Sequence, residues 1–317
     1  MKNTNYFNVF VCCIVMLLCA CTSSKKAWLY TSFNEPAKEG LRLMYSYDGK
    51  HWTYFNHIFL KPLVGKEKIM RDPSMIKDKN GIYHLVWTTE WKGNNGFGYA
   101  SSADLIHWSK EQYMPVMKEE PTVVNVWAPE WFYNEEVNNY MIIWASTIPY
   151  RFDKGIEDEF NNHRLYYIST TDFKNFTKPK LFFDPGFSSI DATLVKRGDK
   201  DYVLVFKDNT RNERSIKVAF GKTPIGPFAN VSSALTGAYT EGPTVAHVKE
   251  EWFIYFDAYR NKDFEAIKTK DFKTFTDATK EISIPEGHKH GTILPVTKKD
   301  IKKMQKALSN IDSTQMK

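Results

Sequence analysis

The chain has 317 residues, 42% hydrophobic and 15% aromatic, which is enough apolar material for a sizeable core and argues against intrinsic disorder. Its net charge of +6 comes from acidic and basic residues interspersed along the sequence, without the stripe of lysine and arginine that marks a nucleic-acid footprint, so nucleic acid is excluded as a partner. All four cysteines, Cys12, Cys13, Cys19 and Cys21, fall within the first 21 residues, which excludes disulfides and cysteine metal sites from the folded body.

The N-terminus, MKNTNYFNVFVCCIVMLLCAC, carries Lys2, an apolar run from about Phe7 to Ala20 and then the polar TSSKK. It reads as an export signal over residues 1–20, too short for a comfortable membrane span. Its end, Leu18-Cys19-Ala20-Cys21, resembles a bacterial lipobox, which implies cleavage before Cys21, lipid on that thiol and a tether over 21–27. The expectation is an exported lipoprotein on the periplasmic or outer-membrane side, held to the membrane by its lipid anchor only. Ordinary cleavage near Ala20 is the alternative.

Beyond the leader one phrase recurs: YSYDGKHWTYF at 45, YASSADLIHWSKE at 99, YYISTTDFKNFTKPK at 166, VAFGKTPIGPFANVS at 218 and AIKTKDFKTFTDATK at 266. Each is an alternating strand, a turn with Asp, Gly or Pro, and an aromatic: Trp52, Trp108, Phe176, Phe228 or Phe275. The last four copies each follow an apolar strand (YHLVWTTEW, NYMIIWAST, DYVLVFKD, EWFIYFDAY), itself preceded by a short leading strand (DPSMI, APEWFY, DATLV, GPTVAHV). Four short strands per unit of roughly 50 residues predict an all-β fold, a five-bladed β-propeller with four-stranded antiparallel blades, spanning 28–297. The first copy lacks a leading strand, whereas HGTILPV at 290 is a leading strand with nothing after it. The C-terminal strand should therefore take the innermost position of the blade built by the N-terminus and close the ring. Residues 298–317 read as a C-terminal helical tail.

Aligned on their first residues, the leading strands place Asp72, Ala128, Asp191, Glu241 and His290 together at the mouth of the central channel. Three of these five are carboxylates. Burying a carboxylate costs several kcal/mol unless it is paired, so three converging on one channel is a poor arrangement for stability alone. Acidic groups crowded together push their proton affinities apart, which suits a division of acid and base roles.

The ordered set RDPSMI, VWAPEWFY, SIDATLV and EGPTVAHV on five repeats resembles glycoside hydrolase family 43, the five-bladed propeller arabinanases, arabinofuranosidases and xylosidases, over nearly all of the mature chain. The resemblance implies Asp72 as general base, Glu241 as general acid and Asp191 as the carboxylate that raises the proton affinity of the acid and orients it. It implies inversion at the anomeric carbon, which needs the base and acid about 6.5–9.5 Å apart, whereas retaining fructan enzymes need about 5–5.5 Å. The expected reaction is exo-acting removal of arabinofuranosyl units, or xylosyl or galactosyl units, from plant-type oligo- or polysaccharides by a monomer. A related five-bladed enzyme of other sugar specificity and a non-catalytic sugar-binding propeller lipoprotein are the alternatives. The phrase SYDGKHW also looks like a degenerate sialidase box, but sialidases have six blades.

Further substrate-binding candidates are Trp127, Trp91, His290 and Arg211, with Arg214 beside it and Glu130 behind the first layer. No cofactor is required for such hydrolysis. A calcium ion in the channel near His290 is the one metal considered, against a hydrogen-bonded histidine. The insertion YRFDKGIEDEFNNHR at 150–164 is expected to wall the pocket and favour short substrates.

Overall fold

A computed structural model of the chain describes residues 26–315. Its twenty strands run in chain order as β1 Lys26–Ser32, β2 Leu41–Ser46 and β3 Thr53–Leu60; β4 Arg71–Lys77, β5 Tyr83–Thr88, β6 Phe97–Ser102 and β7 Gln112–Met114; and β8 Trp127–Asn134, β9 Asn139–Thr147, β10 His163–Thr170 and β11 Lys180–Phe183. Then follow β12 Ser189–Gly198, β13 Asp201–Asp208, β14 Ser215–Gly221 and β15 Phe228–Ala229; β16 Thr240–Val248, β17 Glu251–Ala258, β18 Asp263–Thr269 and β19 Thr276–Asp277; β20 Ile293–Thr297; and helix α1 Lys298–Gln315. They form five four-stranded antiparallel sheets, β4–β7, β8–β11, β12–β15, β16–β19 and β20-β1-β2-β3. Blades one to four are named in that order, and the sheet β20-β1-β2-β3 is blade five.

The expected ring closure is present, with Leu29 of β1 opposite Leu294 of β20 and Lys26 opposite Thr297. Lys26 and Ala27, assigned from the sequence to the tether, thus belong to the sheet. The innermost strands touch in ring order, β4 with β8, β8 with β12, β12 with β16 and β16 with β20, and β1 meets β4.

Each blade is buried on both faces, and the core is divided among the five seams between blades. In β17, Phe253 and Tyr255 pack with Tyr30 and Trp52 of blade five, while Ile254 and Phe256 pack with Val203 and Val205 of blade three. The two-residue period of a strand sends alternate side chains to opposite seams, so second strands read as continuous apolar runs rather than alternating ones. Helix α1 adds Ile301, Met304 and Leu308 to the seam between blades five and one, so this part of the tail is packed rather than solvated.

The recurring phrase is a fixed turn. In four blades a Ser or Thr hydroxyl and the following Asp carboxylate cap successive backbone N–H groups: Ser46 with Asp48, Ser102 with Asp104, Thr170 with Asp172 and Thr269 with Asp271. The short polar side chains replace the backbone partners that the turn leaves open. Blade three departs, using Gly226 and a cis Pro227 at the same point.

Candidate functional site

The leading strands share one irregularity. In β4, Arg71 pairs with Thr88 but Ser74 with Val86; in β8, Trp127 pairs with Ala145 but Glu130 with Ile143. In β12, Ile190 pairs with Lys207 but Thr193 with Val205; in β16, Glu241 pairs with Asp257 but Thr244 with Tyr255. Two residues therefore face one partner, a bulge that re-aims side chains toward the channel. Its first residue is left-handed in every case: Asp72 (φ 49°), Ala128 (48°), Asp191 (51°) and Gly242 (60°). Three of the four are not glycine, and such backbone persists only where its surroundings over-determine it.

This register corrects the sequence alignment. Asp72, Ala128 and Asp191 are equivalent, but their counterpart in blade four is Gly242. Glu241 stands one residue earlier, beside Arg71, Trp127 and Ile190. Matching on charge hid the offset, because residue type does not report the count of residues in a bulge. Glycine is required at 242 for a local reason: a Cβ there would lie 2.0 Å from Cγ of His290, whose ring fills the space.

The shift still brings the predicted carboxyls together. Asp72, Asp191 and Glu241 line one narrow cavity of about 50 Å³ with His290, Trp91 and Trp127. Trp91 is 51% exposed and lies tilted against Trp127 at 5.1 Å, and the Trp127 indole N–H donates to the Trp91 carbonyl; Trp127 also stacks on His163 at 4.9 Å. Arg71, which the sequence reading passed over, lies 4.8 Å over the Trp91 ring and bonds Glu35. The two indoles thus form an aromatic wall of the cavity, of which Trp91 remains half-exposed.

Asp72 accepts from the Thr88 hydroxyl at 2.7 Å and from Nε2 of His290 at 2.9 Å. The other ring nitrogen, Nδ1, donates to Asp257 at 2.6 Å. Burial disfavours the imidazolium, but the hydrogen bonds and charges of Asp257 and Asp72 outweigh it and hold His290 well above its ordinary range. Burial likewise pushes the Asp72 carboxyl up, yet the bond and charge of His290, then Arg71 and Thr88, bring it below the ordinary carboxylate range. Asp72 is therefore an anion, held by a cation.

Among the described residues, Glu241, Asp257 and His290 form the group that offers metal-ligand atoms close together, within 4.8 Å of one another. The arrangement does not fit the calcium expectation. Both nitrogens of His290 already donate to carboxylates, and calcium takes oxygen ligands, not a protonated imidazole.

Asp191 accepts from the backbone N–H of Gly242 at 3.0 Å, joining blades three and four. Burial raises its carboxyl to about 6, against the pull of His290 and Lys207 and with help from Glu241 and Asp72. Glu241 behaves in the opposite way to the sequence expectation. Burial would raise it, but the charge of Lys207, then His290, the Lys207 hydrogen bond and Arg71 hold it below the ordinary range. Lys207 is the cause the sequence reading missed: its Nζ lies 2.9 Å from Oε2 of Glu241. The proton affinities of the two carboxyls are thus pushed apart, that of Asp191 upward and that of Glu241 downward.

Glu130 lies deeper in the channel, as expected of a residue behind the first layer. It accepts from Thr292, and burial raises it to about 7, against the smaller effects of its bonds to Thr292 and Ser74. Arg211 is a correction: it does not line the cavity, and its guanidinium faces Glu157 at 3.7 Å. Arg214 does the same at 3.9 Å. The insertion is likewise not a wall of the cavity. Buried Glu157 ties it toward blade three, Asn162 bonds the carbonyls of Phe152 and Asp153, and it reaches the site only through His163 beneath Trp127.

One signal could have found Lys207 and Asp257. Thr88, Ala145, Lys207 and Asp257 are the residues opposite the pre-bulge position in four successive blades, and three are polar within otherwise apolar strands.

A family profile described as "Probable glycosyl hydrolase domain", of the glycosyl hydrolase 43-related type, matches residues 24–302. An alpha-L-arabinofuranosidase of Bifidobacterium longum subsp. longum is 30% identical over 196 residues, which cover 54% of this chain and 18% of that relative. The match thus spans under a fifth of the relative's length. Among solved structures, an alpha-L-arabinofuranosidase from Lactobacillus brevis superposes with TM-score 0.53 at 19% identity, covering 66% of this chain and 72% of that one. A thermostable family-43 glycoside hydrolase gives 0.51 at 16% identity, with 66% and 71% covered, and an exo-beta-1,3-galactanase from Phanerochaete chrysosporium gives 0.51 at 11%, with 65% and 49%. At such identities these likenesses speak for the fold.

Proposed function

The chain belongs to the glycosyl hydrolase 43-related family, and from that membership we propose that its cavity removes terminal α-L-arabinofuranosyl units from plant-type oligo- or polysaccharides with inversion at the anomeric carbon. The observation that carries the reading is the convergence of Asp72, Asp191 and Glu241 on one narrow cavity. Asp72, kept anionic by His290, takes a proton from the attacking water. Glu241 gives a proton to the glycosidic oxygen as the bond to the anomeric carbon breaks. Asp191, protonated more readily than an ordinary carboxyl, shares the proton with Glu241 and orients it through the Gly242 amide. Half-exposed Trp91, braced by Trp127, offers aromatic surface for the sugar ring.

The arabinofuranosyl choice is supported by the Bifidobacterium relative. Xylosyl or galactosyl units are the next candidates. A panel of aryl α-L-arabinofuranosides, β-D-xylosides and β-D-galactosides, followed by proton NMR, tests this. The expected first product is the inverted anomer of one sugar; a retained first anomer overturns the mechanism.

We further propose that Cys21 carries lipid and anchors an exported monomer. Cys21 lies outside the described residues, and the reading is supported by the LCAC sequence just ahead of β1. Metabolic labelling with a fatty acid should mark the wild type and not Cys21→Ser, which should move to the soluble fraction; equal labelling of both overturns it.

A further inference from the structure

Lys207 enters the site from β13, whose residues from Tyr202 to Phe206 form blade-seam core. Its side chain is 3% exposed. Burying an ammonium costs several kcal/mol unless it is paired, so its partner has consequences. That partner is Glu241 of the neighbouring blade, and the pair crosses the seam between blades three and four. The Tyr259 ring covers the ammonium at 5.0 Å. Blade architecture does not call for lysine here, because Thr88, Ala145 and Asp257 occupy the equivalent positions.

The charged and titratable groups around the pair come from every element packed on it. Asp191 of β12, Arg71 of β4, Tyr259 after β17 and His290 before β20 act on Glu241 or Lys207; Asp257 of β17 lies close to Glu241, Asp72 of β4 lines the same cavity, and His163 of β10 lies near enough to Lys207 to be disfavoured as a cation by it. Of these, Lys207 makes the direct bond to the Glu241 carboxyl.

We propose that Lys207 is a positioning residue for Glu241, fixing where its carboxyl points across the blade seam and controlling when it holds a proton. The inference rests on Glu241 as proton donor. Lys207 exchanges no proton in the reaction: Glu241 gives one to the leaving oxygen, water adds its hydroxyl to the anomeric carbon, and Asp72 takes the remaining proton. An anionic Glu241 bound to Lys207 is the resting form. Contact with the glycosidic oxygen draws the carboxyl from the ammonium and transfers the shared proton from Asp191, so that the acid is armed when a substrate is in place.

The test compares wild type, Lys207→Met and Lys207→Arg by carbon-13 NMR titration of the Glu241 carboxyl, assigned with Glu241→Gln, and by the pH profile of kcat/KM on an aryl glycoside. An opposite charge at this distance shifts a carboxyl by roughly 1–3 pH units. Removing it in Lys207→Met should raise the Glu241 titration, and move the basic limb of the profile upward, by about one unit or more. Asp191 and Glu241 titrate as a pair, so the limb belongs to both. Lys207→Arg should stay near the wild type. If Lys207→Met does not fold, Lys207→Gln keeps a donor, loses the charge and should show the same shift. A folded charge-free variant whose Glu241 titration matches the wild type overturns the proposal. The NMR readout needs no turnover, so absence of hydrolysis by the wild type would count against the catalytic reading and leave this one to be judged separately.

Discussion

Glu241→Gln is expected to lower kcat by about 10²–10⁴-fold on glycosides with poor leaving groups, the usual range for loss of a positioned proton donor. On a dinitrophenyl glycoside the loss should be far smaller, because that leaving group departs without a proton. The split separates a proton donor from a residue that merely shapes the cavity, which would depress both substrates alike. Gln keeps the volume and can still accept from Lys207, so the ion pair is lost with little change in packing. Steady-state kinetics on a leaving-group series makes the check, and equal losses across the series would remove Glu241 from the donor role.

Asp72→Asn should reduce kcat on every leaving group by a comparable factor of about 10²–10⁴, since water must be deprotonated whatever departs. Its second effect follows from His290. In the wild type the imidazolium is balanced by Asp72 and Asp257; in the variant it keeps Asp257 alone. The folded-state proton affinity of His290 should fall, and with it the stability that the raised value contributes. That contribution is present below the unfolded histidine pKa and is lost as pH rises through the folded one. Melting temperatures of wild type and variant should therefore differ most at mildly acidic pH and converge on the alkaline side. Nearly unchanged kcat in a folded Asp72→Asn would leave the base unassigned.

Much of the architecture was legible because repetition is a property of sequence. The five phrases, the intervals between their aromatics and the orphan strand HGTILPV were enough to predict five blades and their closure, and the Ser/Thr–Asp turns explain why the phrase repeats. Three carboxyls at the head of apolar strands signalled the site for an energetic reason, since isolated burial of such groups is costly. Arg211 was misplaced because an exposed basic loop carries no information about direction, and only Glu157 settles where it turns.

What the sequence by itself determined about this protein is thus the number of blades, the closing strand and the acidic residues that meet in the channel. These depend on periodicity and on the cost of burying charge, both of which are local in the chain. Tertiary structure alone decided the one-residue offset of Glu241, the clasp of His290 between two carboxylates and the ion pair of Lys207 with Glu241. Each depends on a bulge register or on side chains from different blades, and charges well separated along the chain act through distances set only when the blades pack and the ring closes.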